Sequence, residues 1–169
     1  MRLDRDFFLR DVLAVAPELA GAVLCRRLPD GAVMRGRITE TEAYRGEEDL
    51  ACHARAGRTR RTDVLYREGG CAYVYLVYGL HWLFNVITGP ADVPQGVLIR
   101  AMGRPLDGPA KWTRAFGITG VHNGLYLPGS EEIWIEKEGR APVRQAPRVG
   151  IDYAPEPWKS MPWRFILDE

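Results

Sequence analysis

Two glutamates and a tyrosine form the segment of this sequence best suited to acid–base chemistry. Glu40, Glu42 and Tyr44 alternate along one stretch of chain. On a β-strand they share a face, with the Cα atoms of the two glutamates ~6.5–7 Å apart. If both carboxylates are buried, their repulsion raises the pKa of one, and a carboxylate can activate water. The alternative is a solvated strand face that carries two ordinary acids.

A second segment supplies aromatic side chains. Tyr73 and Tyr75 have the same parity, whereas Tyr78 has the opposite parity and is followed by Gly79, which indicates a turn. An aromatic ring at an exposed hairpin tip is poorly placed for core packing and could wedge between base pairs. The alternative is that all three tyrosines are strand-forming core and rim residues, as is usual for such a stripe.

Between these segments lies a loop with four arginines separated by small residues, namely Arg55, Arg58, Arg60 and Arg61. Small neighbours allow guanidinium groups and backbone amides to approach phosphates closely. The alternative is a solvated charged loop. His81, next to the predicted turn, is expected to contact phosphate or solvent. Carboxylates, aromatic rings and arginines so close together favour chemistry on a nucleobase.

Three further polar residues occur where a ligand or a structural partner must explain them. Asn85 lies within an apolar strand and Arg100 ends another. A buried polar side chain is costly unless it is hydrogen-bonded, so Asn85 is either satisfied structurally or contacts a ligand. Arg100 forms either a structural salt bridge or a ligand contact, and His53 is either a ligand contact or a surface residue.

Composition limits the possible classes of protein. The 169 residues carry a formal net charge of +1, which says little about partners because the charges are unevenly placed. The three cysteines and three histidines show neither CxxC nor zinc-binding spacing, so we expect a reducing cytosol, no metal and no cofactor. No P-loop or dinucleotide fingerprint is present. The longest apolar run, residues 73–78, is far too short to span a membrane.

The pattern of elements predicts a mixed α/β (α+β) protein with a single domain over residues 1–169. Residues 5–28 have helical periodicity, broken at Pro17 into two short helices. A further helix is predicted over residues 110–116, and residues 141–162 are expected to be irregular. The predicted strands, of which the second and third form a hairpin, are 33–44, 71–77, 82–88, 96–102, 133–138 and 163–167.

Taken together, the motifs resemble the alkyladenine (3-methyladenine) DNA glycosylase family in its bacterial form. The resemblance covers nearly the whole chain. The segments that carry it are Glu40-Thr41-Glu42-Ala43-Tyr44, the acidic stretch from Glu47 to His53, the hairpin from Tyr73 to Asn85, Gly96 to Ala101, Gly108 to Ile118, Arg148 to Ile151 and Pro162 to Phe165.

The resemblance implies a compact fold on a curved antiparallel sheet with a protruding β-hairpin. It also implies that Glu42 activates the hydrolytic water and that Arg100 positions this water. Tyr44, His53 and Tyr75 would sandwich a base flipped out of the duplex.

By the same resemblance, Asn85 would line the pocket floor and reject the 2-amino group of guanine, while Tyr78 would fill the gap in the duplex. The implied activity is monofunctional base excision without a cofactor, on double-stranded DNA containing damaged purines. We expect a monomer acting at the bacterial nucleoid in the cytoplasm. The range of lesions and the role of Glu40 stay open.

Two other functions stay compatible with the residues. An O-glycoside hydrolase could use Glu40 and Glu42 as an acid/base pair, since inverting enzymes separate their carboxyl groups by roughly 6.5–9.5 Å. A non-catalytic protein could bind damaged or single-stranded DNA by stacking bases on Tyr75 and Tyr78. Release of free base separates both from a DNA glycosylase.

Overall fold

Helices make up a small part of the computed structural model, which describes residues 1–168. Helix α1 spans Arg5–Phe8, α2 spans Val12–Leu19 and α3 spans Pro109–Ala115. Aspartates begin the first two helices: Asp4 accepts a hydrogen bond from the Phe7 amide at 3.1 Å, and Asp11 accepts one from the Leu13 amide at 2.9 Å. Such caps satisfy amides that have no partner inside the helix. Short 3₁₀ turns occur at His53–Ala56, Asp63–Tyr66, Gly120–His122 and Trp158–Ser160.

The prediction that residues 5–28 are helical is wrong at its C-terminal end. Helix α2 ends at Leu19, Gly21 adopts a positive φ of 96°, and Val23–Arg27 form a strand. Periodicity missed this strand because it is paired on both sides and its first three residues are all buried. The position of the break was also wrong. Pro17 lies inside α2, and the chain bends before Asp11 instead.

Within residues 1–168, nine antiparallel strands form two sheets. A three-stranded sheet has the order β2-β1-β7, and a six-stranded sheet has the order β4-β5-β6-β3-β9-β8. The strands are β1 Val23–Arg27, β2 Val33–Arg37, β3 Glu40–Arg45, β4 Ala72–Val77, β5 His81–Thr88, β6 Gln95–Ala101, β7 Ile133–Glu136, β8 Val143–Ala146 and β9 Arg164–Leu167. The predicted mixed α/β class with antiparallel sheets is thus confirmed, although β8 lies in a stretch expected to be irregular.

The single strand predicted over residues 33–44 is two strands that belong to different sheets. Strand β2 pairs with β1, whereas β3 pairs with β6 and β9. The switch occurs at Ile38 and Thr39, whose amides bond to Ala22 and Ala101 respectively, at 2.8 Å each. Ile38 and Ala43 have opposite parity and both pack in the core, so the corner changes which alternate positions face inward.

The two faces of the six-stranded sheet have different roles. One face packs against α2 and α3 and forms the core, with Thr41, Ala43, Phe84 and Ile99 all fully buried. The Trp112 indole of α3 donates a hydrogen bond to the Ile99 carbonyl at 2.9 Å and so ties this helix to the sheet. Because side chains alternate along a strand, the neighbours of these core residues point to the opposite face.

Strands β4 and β5 form a hairpin with an exposed tip. Tyr78 and Gly79 both have positive φ, 53° and 65°, and the Leu80 amide bonds to the Val77 carbonyl at 3.0 Å. A tyrosine in this region of backbone space is energetically unfavourable, and its ring is 90% exposed. Tyr78 therefore contributes little to folding. Within residues 1–168, no helix is long and apolar enough to cross a membrane.

Candidate active site

A cavity of about 400 Å³ opens on the face of the six-stranded sheet that lies away from the core. Its floor is a row of side chains from four adjacent strands. Tyr73 pairs with Asn85, Asn85 with Leu98, and Leu98 with Glu42. Residues directly opposite each other in antiparallel strands point to the same face. The strand register therefore brings together residues that lie far apart in the sequence.

Two segments outside the sheet form the walls. Residues 51–53 follow β3, and residues 149–153 precede β9. The Tyr153 hydroxyl joins the two segments by donating a hydrogen bond to the Ala51 carbonyl at 2.8 Å. The volume lies within the range of small-molecule sites and is large enough for one bicyclic base.

Glu42 is the buried carboxylate of the cavity, with no solvent-accessible surface. Its Oε1 accepts a hydrogen bond from the Tyr44 hydroxyl at 2.9 Å, and its Oε2 accepts one from the Val149 amide at 2.7 Å. Burial raises the pKa of Glu42 above its ordinary value, against the opposing effects of the Val149 amide, Arg100 and the Tyr44 hydroxyl. A held carboxylate with a raised pKa is suited to act as a general base.

Arg100 lines the cavity, on the same face as Leu98 two residues earlier, and it lies where the pairing of β3 with β6 is irregular. Glu40 pairs with Ala101 and Thr41 pairs with Ile99, so Arg100 is the additional residue of a bulge. Its Nε lies 3.6 Å from Glu40 Oε2. Bulges commonly redirect a side chain beside an active site.

Glu40 has a different environment from Glu42. Besides Arg100, the Arg164 guanidinium approaches it, with Nη1 3.3 Å from Oε2. Glu42 lines the cavity and Glu40 does not. The two carboxylates are therefore not arranged as an acid/base pair across one substrate, which argues against the O-glycoside hydrolase alternative.

His53 and Tyr75 form one aromatic wall. Their ring centroids are 4.5 Å apart, and His53 Nδ1 lies 3.1 Å from the Tyr73 hydroxyl. Burial, with smaller effects of Arg61 and Arg55, lowers the pKa of His53 from 6.5 to about 4. The imidazole is therefore uncharged at neutral pH.

Tyr44 also lines the cavity, and burial raises the pKa of its hydroxyl well above the ordinary value. Asn85 both forms a structural hydrogen bond and faces the cavity. Its Nδ2 donates a hydrogen bond to the Tyr73 carbonyl at 3.1 Å, and its side chain lines the cavity. Because a carbonyl only accepts, this bond fixes the orientation of the amide and leaves Oδ1 as the free acceptor.

The four arginines of the 55–61 loop differ in their environment. Arg61 lines the cavity, and Arg60 is exposed. Arg55 donates a hydrogen bond to the Cys52 carbonyl at 3.3 Å, and its guanidinium lies 4.8 Å from the centroid of the Tyr153 ring.

Arg58 forms two ion pairs with aspartates. It forms ion pairs with Asp63 at 2.9 Å and Asp92 at 3.2 Å. A contact between Arg58 and a phosphate would compete with both aspartates, so it is the weakest candidate of the four for binding the DNA backbone.

Tyr78 and His81, the two hairpin residues expected to contact DNA, line different cavities. Tyr78 is at the rim of the main cavity. His81 lines a separate, smaller cavity of about 180 Å³ with Arg114 and Thr119, beside the tip end of the hairpin. His81 therefore does not line the cavity that contains Glu42.

Several site residues were missed by sequence reasoning. Asp49 and Arg148 form a fully buried ion pair beneath the cavity, with Nη1 2.5 Å from Oδ2. The Val149 amide donates a hydrogen bond to Glu42, and the Tyr153 hydroxyl donates one to the Ala51 carbonyl and so joins the two wall segments. The sequence signals were that Asp49 lies in the matching acidic stretch 47–53 and that residues 148–151 match another family motif, but no local pattern relates Asp49 to Arg148. Among residues 1–168, no group of three or more His, Cys, Asp or Glu side chains could hold a metal ion.

Comparison with known proteins identifies the family. The sequence model of methylpurine-DNA glycosylase (MPG) matches residues 6–106 and 103–169. A protein of Anaeromyxobacter sp. (strain Fw109-5) is 44% identical, covering 99% of this chain and 90% of its own length. A protein of Clostridium botulinum (strain Alaska E43 / Type E3) is 41% identical, covering 100% and 96% respectively. A protein of Myxococcus xanthus (strain DK1622) is 42% identical, covering 96% and 88%. All three are provisionally named 3-methyladenine DNA glycosylase. The chain described here belongs to the methylpurine-DNA glycosylase family.

Proposed function

We propose that this protein is a base-excision-repair glycosylase that removes alkylated or deaminated purines from duplex DNA by hydrolysing the N-glycosidic bond. The observation that carries the proposal is a buried carboxylate, Glu42, on the floor of a cavity with aromatic walls and with Arg100 beside it. Membership of the methylpurine-DNA glycosylase family and the names of the relatives support the same activity.

Glu42 acts as the general base in this proposal. Each of its oxygens accepts one hydrogen bond from the protein, so each retains a lone pair for a water molecule. Arg100 orients that water. The transition state of N-glycoside hydrolysis carries positive charge on the sugar, and a carboxylate beside it also stabilises this charge. Because the base must be deprotonated, the rate of base release falls as pH drops through the pKa of Glu42.

The target base stacks against the aromatic side chains. The rings of His53 and Tyr75 are in contact with each other, so no base fits between them. The base therefore lies beside this pair of rings, which are inclined at 62° to each other, with Tyr44 on its other side, and Asn85 contacts its edge. An uncharged imidazole suits this wall, because alkylation at N3 or N7 makes the purine cationic and a protonated His53 would repel it.

Duplex DNA is the proposed partner. Tyr78 enters the stack at the position that the flipped nucleotide leaves, and Arg55, Arg60 and Arg61 contact phosphates. Among the described residues, no lysine lines the cavity, so no Schiff base forms and the product is an intact abasic site. The chain acts as one domain, a monomer, without a cofactor.

The test is release of free base from four duplexes that carry 3-methyladenine, 7-methylguanine, hypoxanthine or ethenoadenine. Wild type is compared with Glu42→Gln, which conserves size and one of the two acceptor oxygens but cannot accept a proton. We expect wild type to release at least the cationic bases, and the variant to bind lesion DNA with its rate reduced by about 10²–10⁴.

Three outcomes distinguish the alternatives. Turnover by Glu42→Gln at the wild-type rate would refute the assignment of the base. Binding of lesion DNA without release of any of the four bases by wild type would instead support a non-catalytic binding protein. Absence of binding to all four duplexes would refute both DNA functions.

A further inference from the structure

Arg148 connects three segments of the chain beneath the cavity, and its side chain is fully buried. It forms a two-pronged ion pair with Asp49, at 2.5 Å and 3.0 Å. Its Nη1 also donates to the Ala43 carbonyl at 3.0 Å, and its Nη2 donates to the Trp158 carbonyl at 3.1 Å. One guanidinium thus holds strand β3, the loop that leads to the aromatic wall, and the C-terminal segment.

Two aromatic rings enclose the same guanidinium. The centroid of the Tyr44 ring lies 4.9 Å from it, and that of Trp163 lies 5.0 Å away. Only a planar group with donors on several sides can form these contacts together, so a lysine cannot replace it. Because the Tyr44 hydroxyl donates to Glu42, the packing of Arg148 on this ring also bears on the carboxylate.

The contact with Ala43 has a structural cause. The pairing of β3 with β9 ends at Glu42 and Arg164. The carbonyl of Ala43 then needs a donor other than a paired strand, and Arg148 supplies it. The residue that follows Arg148 is Val149, whose amide donates to Glu42 Oε2 at 2.7 Å. Anchoring Arg148 therefore fixes the position of this amide.

The same contacts influence the charge of Glu42. Burial disfavours its carboxylate form, and the groups that oppose this effect are the Val149 amide, Arg100 from β6, the Tyr44 hydroxyl from β3 and Arg148. Tyr75 of β4 also faces the carboxylate. Loss of the Arg148 contacts would weaken several of the stabilising interactions at once, so the pKa of Glu42 would rise further.

We propose that Arg148 is a positioning residue for hydrolysis, which orients the Val149 amide and the Tyr44 hydroxyl toward Glu42 and keeps this carboxylate directed into the cavity. Asp49 serves the same purpose by neutralising Arg148 and fixing its plane. The inference rests on the proposed role of Glu42 as the base.

Arg148→Lys is the test variant, because it keeps the charge and loses the two-pronged geometry. Arg26→Lys is the matched control. Arg26 is also a buried arginine beside a glutamate, with Nη1 3.6 Å from Glu132 Oε1, but it lies in the three-stranded sheet. Within residues 1–168, each of the two arginines has a buried Nε without a hydrogen-bond partner.

Single-turnover release of 7-methylguanine, measured with enzyme in excess across a range of pH, gives the decisive comparison. We expect Arg148→Lys to be about 10- to 100-fold slower at neutral pH. Its acid limb moves to higher pH, while the Kd for lesion DNA changes by less than about threefold. Arg26→Lys retains the wild-type rate and acid limb even if its Tm falls. A folded Arg148→Lys with the wild-type rate and acid limb would overturn the proposal.

A second variant and a second readout cover the remaining cases. Val149→Pro removes the amide hydrogen that bonds to Glu42 and keeps Arg148, so it should also shift the acid limb to higher pH. This variant provides the test if Arg148→Lys does not fold. Carboxyl ¹³C NMR, with the Glu42 signal assigned by its loss in Glu42→Gln, reports the pKa of Glu42 without turnover. A higher pKa of Glu42 in Arg148→Lys supports the proposal, and an unchanged one overturns it. If Arg148→Lys does not fold, the pKa of Glu42 in Val149→Pro decides in the same way. Wild type that releases no base but shows this dependence would contradict the proposed function alone.

Discussion

The uncharged state of His53 makes a prediction about stability that requires no substrate. Its pKa is about 4 in the folded protein and 6.5 in its ordinary state. Between these values, the unfolded chain binds a proton at His53 that the folded protein does not. Unfolding therefore becomes easier as pH falls from 6.5 toward 4. The perturbation is His53→Gln, which keeps a polar group facing the Tyr73 hydroxyl and does not titrate.

The magnitude follows from the pKa difference. Each pKa unit corresponds to about 1.4 kcal/mol, and most of the interval lies between pH 7 and pH 4.5. Over this range, the free energy of unfolding of wild type should fall by about 2 kcal/mol more than that of His53→Gln. Groups that titrate in both proteins cancel in this comparison.

Urea unfolding at pH 7 and pH 4.5, followed by tryptophan fluorescence, measures the difference. Glu42→Gln provides a control of opposite sign. The raised pKa of Glu42 stabilises the folded protein at low pH, so a variant without it loses stability more steeply as pH falls. Equal pH dependence of wild type and His53→Gln would show that the imidazole is not held uncharged and that the described wall is wrong.

Three further predictions concern the hairpin, the bulge and the core. Tyr78→Ser should leave the free energy of unfolding within about 0.5 kcal/mol of wild type, because the side chain is exposed. It should weaken binding of a lesion duplex about tenfold, measured by fluorescence anisotropy. Unchanged binding would refute the insertion of Tyr78 between base pairs. Glu40→Gln should slow single-turnover base release roughly tenfold while binding of lesion DNA persists, because Arg100 loses its carboxylate partner. A wild-type rate would show that Arg100 does not need the ion pair with Glu40. Trp112→Phe should lower the free energy of unfolding, measured in urea, by about 1–3 kcal/mol, since the Ile99 carbonyl loses its indole donor. An unchanged free energy of unfolding would mean that this hydrogen bond adds nothing to stability.

The local arrangement around Glu42 could be predicted from the sequence. Alternation along a strand places Glu42 and Tyr44 on one face, and in the structure the hydroxyl of one bonds to the carboxylate of the other. The tip position of Tyr78 likewise followed from parity and the adjacent glycine. Both inferences depend only on the geometry of one element, which a short stretch of sequence determines.

Features that depend on tertiary pairing could not be predicted. Strand β1 has helical periodicity because its buried residues show no alternation, and the division of residues 33–44 between two sheets depends on the strands with which each half pairs. The bulge at Arg100 is a property of two paired strands. The ion pair of Asp49 with Arg148 joins residues 99 positions apart, so no local rule relates them.

The two-sided sheet also affects how this protein can change through evolution. Residues that contact the cavity alternate with residues that pack the core, so neighbouring codons specify unrelated properties. A substitution at Asn85 or Leu98 alters the shape of the cavity while Phe84 and Val97 keep the core packed. Substitutions that line the cavity can therefore change its shape without repacking the core. A directed-evolution library restricted to alternate positions of β3 to β6 would exploit the same separation.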